Sequence, residues 1–138
     1  MKNKFRYVAL LLMCVCVLPL VFACNGGNGN LTFGKPTYTV TKDGYYTAEV
    51  KMFNQSEDVD VVLNKSDFYI MIGNKKLNAT NFITGYSYSG GTSGEEYTSN
   101  LSDTFTIQSH YEHTVKIAFD VDSWEGGQAT LYYKGKAI

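Results

Sequence analysis

The chain has 138 residues, a formal net charge of −1 and 18% charged side chains. That length supplies one domain, and a near-neutral balance excludes the strongly basic surfaces that hold nucleic acid by its phosphates. Arg6 is the single arginine, so bidentate guanidinium recognition of phosphate has no support in the rest of the chain.

The first predicted element is a leader. Lys2, Lys4 and Arg6 form a positive start, and Val8 to Ala23 is apolar apart from Cys14 and Cys16. This is the layout of a secretory signal. Val21-Phe22-Ala23-Cys24 reads as a lipobox, the cleavage and acylation site of a bacterial lipoprotein. A retained membrane anchor is the alternative, since about 17 apolar residues just span a bilayer. Pro19 near the end of the run and the small-residue-then-Cys junction argue against it. Ordinary secretion with cleavage after Ala23 would leave a lone free thiol at Cys24, which is unusual outside the cell. Acyl chains on Cys24 account for that thiol and tie the protein to a membrane. One chain anchors only marginally, at about 0.8 kcal/mol per buried CH₂, so two or more are expected. Residues 1–23 are thus expected to be a signal peptide.

Removing the leader changes the balance. It carries three of the twelve basic residues and none of the thirteen acidic ones, leaving 9 Lys against 13 Asp plus Glu, or −4. Residues 24–31, rich in Gly and Asn, read as a short flexible tether, and residues 32–138 as one domain. The domain keeps no cysteine, so no disulfide is available and the core must hold the fold.

Alternation of apolar and polar residues dominates the domain. Tyr46, Ala48, Val50 and Met52 fall on one parity, with Thr47, Glu49 and Lys51 on the other. Val59, Val61 and Leu63 repeat the pattern, as do Phe68, Ile70 and Ile72. Val115, Ile117, Phe119 and Val121 follow, then Ala129, Leu131 and Tyr133. Period two with one polar face means half-buried antiparallel strands. Lys42-Asp43-Gly44 predicts a hairpin turn between strands at 37–41 and 45–53. Asn54-Gln55-Ser56-Glu57, Gly73-Asn74-Lys75 and Glu125-Gly126-Gly127 predict further turns, and Asn64-Lys65-Ser66-Asp67 a turn or short helical bend. No ten-residue window carries helical periodicity. The expected fold is all-β, an immunoglobulin-like antiparallel β-sandwich of about seven strands.

Several runs resemble a family of small bacterial lipoproteins with an immunoglobulin-like domain of unknown function, related to the mycobacterial immunoprotective extracellular antigens. They are Val50-Lys51-Met52-Phe53-Asn54-Gln55-Ser56, Val59-Asp60-Val61 and Ser66-Asp67-Phe68-Tyr69-Ile70. Downstream, Phe119-Asp120-Val121 and Leu131-Tyr132-Tyr133 correspond to the family's last two strands. The resemblance spans about residues 45 to 135, and its motifs are structural. One departure is Ser109-His110-Tyr111-Glu112, where the family commonly has a turn containing Gly. The resemblance implies the fold and an envelope location, and it brings no catalytic residues.

Candidate chemistry is sparse. His110 and His113 are the two histidines. Three apart on a strand, they point to opposite faces and cannot share a metal. Asp120, Asp122 and Glu125, and likewise Glu57, Asp58 and Asp60, lack the spacing of a calcium loop and read as solvated faces. No serine sits in a nucleophile elbow. The sequence therefore calls for no catalytic residue, no metal and no cofactor. The five Asn-x-Ser/Thr sequons, starting at Asn30, Asn54, Asn64, Asn78 and Asn100, read as chance products of composition.

The segment 84–97 stands apart. It is long for a connection and is read as a loop. It carries Tyr86, Tyr88 and Tyr97 among Gly and Ser, the chemistry of adaptable contact surfaces. With Trp124 these tyrosines are the candidate binding residues. The expected function is a lipid-anchored, non-enzymatic interaction module with a protein, glycan or small-molecule ligand. The competing expectation is a structural envelope spacer or surface antigen without a defined ligand.

Overall fold

The computed structural model describes residues 30–92, 94–120 and 128–138 of the chain. The leader, Cys24, Val121, Asp122, Trp124 and the turn at 125–127 lie outside the described residues.

Eleven strands are described: β1 (Leu31–Phe33), β2 (Thr37–Val40), β3 (Tyr46–Asn54), β4 (Val61–Asn64), β5 (Phe68–Ile72), β6 (Lys75–Gly91), β7 (Gly94–Ser102), β8 (Thr104–Ile107), β9 (Glu112–Phe119), β10 (Ala129–Tyr133) and β11 (Lys136–Ala137). Every pairing is antiparallel. The only helical element among the described residues is a 3-10 turn at Lys65–Asp67, where the sequence suggested a turn or bend. Asn64 caps it by accepting from the Ser66 N–H at 3.0 Å, so an orphan donor at the start of the turn is satisfied by the residue type that best does so.

The first layer runs β1/β2–β3–β9–β6–β7, and the second runs β6–β5–β10–β11. β6 belongs to both: its start pairs β5, its middle β9 and its outer part β7. β1 and β2 pair successive parts of β3 and are one strand interrupted at Gly34-Lys35-Pro36. Pro36 has no N–H to give to a ladder, which explains the interruption. The pairing of β3 with β9 and of β5 with β10 reproduces the order of an immunoglobulin sandwich, with β1/β2, β3, β9 and β6 as A, B, E and D and β5, β10 and β11 as C, F and G. The strands beyond the expected seven are β4, β7 and β8 and the split of the first. β4 and β8 form a separate two-stranded sheet.

One core joins the layers. Ala48, Val50 and Met52 of β3, Val115, Ile117 and Phe119 of β9 and Phe82 of β6 are buried against Phe68, Ile70, Leu131 and Tyr133. Phe68 packs edge-on to Phe82 at 5.7 Å, and Phe33 reaches Tyr133 at 5.2 Å. Val61, Leu63 and Ile107 of the small sheet join the same cluster. The parity read for β3, β5, β9 and β10 is thus the observed one at these positions. Val59 is an exception. It is 58% exposed, because β4 starts only at Val61 and residues 55–60 form a connection. Asn54 organises that connection. It is fully buried, donates from Nδ2 to the carbonyls of Val59 and Ile107, and accepts the Ser56 N–H.

The chain order reaches further toward the leader than expected. Leu31, read as the last tether residue, is buried in β1, and the Asn30 carbonyl accepts the Gln55 N–H at 2.7 Å. At the other end, Tyr133 and Lys136 pair across a two-residue turn to form β11, a strand the alternation did not signal.

Candidate functional site

The segment 84–97 is not a loop. It is most of a β-ribbon formed by the outer part of β6 and by β7, paired from Phe82↔Ser102 to Gly91↔Gly94 with a bulge between Ile83 and Gly85. The sequence obscured this because Gly and Ser punctuate it, and those residues ordinarily mark turns. In a paired ribbon the side chains segregate by parity. Tyr86, Tyr88, Tyr97 and Ser99 occupy one face, while Ser87, Ser89, Glu96, Thr98 and Asn100 occupy the other. Ser87 and Asn100 hydrogen bond across the polar face at 3.0 Å.

The aromatic face turns back over the outer side of the first layer. Asp43, in the β2–β3 turn, accepts the Ser99 N–H at 2.6 Å and the Ser99 hydroxyl at 3.0 Å. Lys42 Nζ lies 3.9 Å from the Tyr97 ring centre, and Lys116 Nζ lies 5.3 Å from that of Tyr86. Beneath the base of the ribbon, Thr47, Ile83, Ala118 and Ser99 are buried although they lie off the main core's side of the layer. The buried Thr47 hydroxyl has its partners in Thr39, whose hydroxyl is at 3.1 Å and whose carbonyl is at 3.2 Å.

The tie and the floor are both electrostatic. Slight desolvation raises the Asp43 pKa, but hydrogen bonds from Thr41 and Ser99 outweigh it and hold the carboxyl below its usual range. Partial burial alone would lower the Lys116 pKa. The Glu49 carboxylate at 3.3 Å, with Tyr86 beside it, raises it instead.

Between the ribbon and the β2–β3 corner lies a cleft of about 330 Å³, lined by Thr39, Val40, Thr41, Lys42, Glu49, Tyr86 and Tyr97. Its walls are mainly apolar, and among the residues that line it Val40 is 62% and Tyr86 45% exposed. Tyr88, 57% exposed, extends the aromatic face toward the ribbon tip and packs on Tyr97 at 5.1 Å. A Cβ on Gly90 would come within 2.8 Å of the Tyr88 hydroxyl, so glycine there leaves room for the ring to lie along the strand.

Three of the four candidate binding residues, Tyr86, Tyr88 and Tyr97, therefore share one surface, and the fourth, Trp124, lies outside the described residues. Val40, Lys42, Glu49 and Lys116 complete the site and were missed. Each reads in sequence as an ordinary strand-face or turn residue, and only the folding-back of the ribbon makes them neighbours.

The histidines lie elsewhere. His110 is exposed in a turn at φ 56° and packs on Phe53, while His113 points inward between Phe105 and Tyr111 with a buried, unpartnered Nε2. The positive φ of His110 is a conformation that ordinarily favours Gly. Neither histidine lines the cleft, and among the described residues no group of three or more His, Cys, Asp or Glu is gathered to hold a metal. Asp60, in the acidic run Glu57 to Asp60, accepts the Ser109 N–H at 2.9 Å. Comparison with family models, curated proteins and solved structures finds no match to this chain.

Proposed function

We propose that the protein is a non-enzymatic binding module, held outside a bacterial membrane by acyl chains on Cys24, with the cleft under the ribbon as its contact surface. The observation that carries this reading is that Tyr86 and Tyr88 stay exposed on a paired ribbon pinned by Asp43, beside exposed Val40. Aromatic rings gain most from burial, and a cluster left open on an ordered scaffold is the signature of a contact surface. Two side-chain torsions per ring keep the entropy cost of contact low. The leader, the lipobox at Cys24 and the resemblance to envelope lipoproteins support the location.

The test uses the full chain as bait in detergent-solubilised envelope extract. Capture of a partner by the native protein, lost in the Tyr86→Ala, Tyr88→Ala double variant with an unchanged thermal melt, supports the reading. Full capture by the double variant rejects the cleft. The anchor is tested separately: Cys24→Ser should abolish incorporation of labelled fatty acid, and unchanged labelling would rule out acylation there.

A second reading is a spacer or surface antigen without a defined ligand. It is favoured by the ribbon's opposite face, where Ser87, Ser89, Glu96, Thr98 and Asn100 are all exposed and polar.

A further inference from the structure

We infer that the outer face of the second layer docks flat on an anionic lipid surface; this rests on the protein being held at a membrane, as proposed above. Charge segregation is the first argument. The stretches 68–79 and 129–138, which form the layer, hold Lys75, Lys76, Lys134 and Lys136 and no acidic residue. All four lysines are exposed, and among the described residues none of them belongs to an ion pair. Counting Asp67, just before β5, still leaves three positive charges. Acids gather on the other layer instead, with Glu49 and Glu112 on its strands, Asp43 in its hairpin turn and Glu95 and Glu96 on the ribbon.

Placement is the second. Phe68, Ile70, Leu131 and Tyr133 point into the core, so Tyr69, Met71, Thr130 and Tyr132 point away from it. Tyr69 and Tyr132, opposite each other in register, stack at 4.7 Å and 6° from parallel. Lys76, opposite Met71, reaches over the Tyr69 ring at 4.2 Å. Lys75 flanks one end of the face at the β5–β6 turn, and Lys134 and Lys136 flank the other at the β10–β11 turn. Half-buried tyrosines ringed by lysines suit a headgroup layer, where the ring is sheltered, its hydroxyl stays wet and ammonium groups meet lipid phosphates.

Distance is the third. Packed sheets lie about 10 Å apart, more than the Debye length of about 8 Å at physiological salt. With the second layer on the lipid, the acids of the first layer and the ribbon are screened from it and the lysines are not. Phe33 of β1 packs on Tyr133 at 5.2 Å, so the first strand of the domain lies beside the Lys134–Lys136 turn. Cys24 stands seven residues before Leu31, a span of at most about 25 Å, and an anchor that close raises the effective concentration of a weak docking face. An acidic protein would match the same charge, but the anchor favours lipid. The ribbon and its cleft, on the outer side of the opposite layer, then face away from the membrane.

The experiment reconstitutes the full chain in nanodiscs of phosphatidylcholine, alone or with about one-third phosphatidylglycerol, each containing headgroup spin-labelled lipid. Paramagnetic broadening is read residue by residue by nuclear magnetic resonance. With the anionic lipid, Tyr69, Met71 and Tyr132 should broaden while Tyr86, Tyr88 and Tyr97 stay sharp. The contrast should vanish in pure phosphatidylcholine and in about 1 M salt, where the Debye length falls to about 3 Å. Lys76→Gln and Lys136→Gln, both at exposed sites, should each lower the docked-to-free ratio about fivefold with an unchanged thermal melt. Lys35→Gln, an exposed lysine of the first layer's edge, should leave it unchanged. Equal broadening with both lipids, broadening of Tyr86 and Tyr88 instead, or indifference to Lys76→Gln and Lys136→Gln would each overturn the assignment. So would capture of an acidic envelope protein through Lys76 and Lys136 with no broadening by lipid. Docking without acyl label at Cys24 removes the anchor and leaves the face; acyl label without docking removes the face and leaves the anchor. With neither, both fall.

Discussion

Phe119 ends β9 opposite both Tyr46 and Ala79, and its ring is buried in the core that joins the layers. Phe119→Ala should cost about 3–5 kcal/mol in denaturant melts, because the lost burial adds to the cavity left behind. A loss under about 1 kcal/mol would mean that the site collapses around the smaller side chain. Tyr46, across from it, stacks on Tyr38 at 6.2 Å. Burial first, and then the neighbouring Tyr38, push the Tyr46 pKa up to about 12. Burial likewise raises Tyr38, against a hydrogen bond with the Leu131 backbone. A raised folded pKa stabilises the protein below the unfolded value, near 10, and that stability is lost as pH rises through the folded value. Alkaline unfolding should therefore set in between the ordinary tyrosine pKa and about 12. Tyr46→Phe should flatten the fall in stability across that window, as read from far-UV circular dichroism against tyrosinate absorbance. An unchanged slope would mean that Tyr46 does not set the limit.

The ribbon is the element on which the functional reading depends, and its attachment is local. β7 is an edge strand, and edge strands invite unwanted pairing unless something occupies their free groups. Asp43 occupies the Ser99 N–H and hydroxyl and fixes the ribbon over the layer at the same time. The Asp43 pKa is depressed, so the tie is present above the unfolded carboxylate value and is lost as pH falls through the lower folded one. The Ser99 amide proton should shift with acid at a midpoint below about 3.9, and the shift should be absent in Asp43→Ala. A midpoint at or above the ordinary aspartate value would mean that the bond is not formed in solution. Asp43→Ala should also broaden Tyr86 and Tyr97 ring signals while leaving those of Phe68 and Phe82 unchanged, since the ribbon and the main core are held by different contacts.

At the scale of the whole molecule, one long strand links the two layers. β6 runs from the second layer through the first and out into the ribbon, so the core and the candidate site share a backbone. The described residues contain no cysteine, and the burial of Phe68, Phe82, Phe119, Leu131 and their neighbours joins the layers without a disulfide among them.

How much of this was legible in the sequence differs by element. Alternation alone identified β3, β5, β9 and β10 and their buried faces, because a strand with one wet side writes its period directly into the residue order. Lys42-Asp43-Gly44 declared its hairpin, since Gly44 adopts a positive φ of 92° that glycine takes without steric cost. β6 and β7 were not legible: both sides of the outer ribbon are largely exposed, so no apolar parity marks them, and Gly and Ser imitate a loop. Val59 misled in the opposite sense, because Asn54 captures its carbonyl and ends the preceding strand's pattern before β4 begins. By itself the sequence determined the fold class, the parity of the main strands and the three tyrosines of interest. Only the tertiary structure decided that Tyr86 and Tyr97 line a cleft together with Val40, Lys42 and Glu49. That juxtaposition depends on contacts between residues more than forty positions apart, Asp43 with Ser99 foremost, and no local period records them.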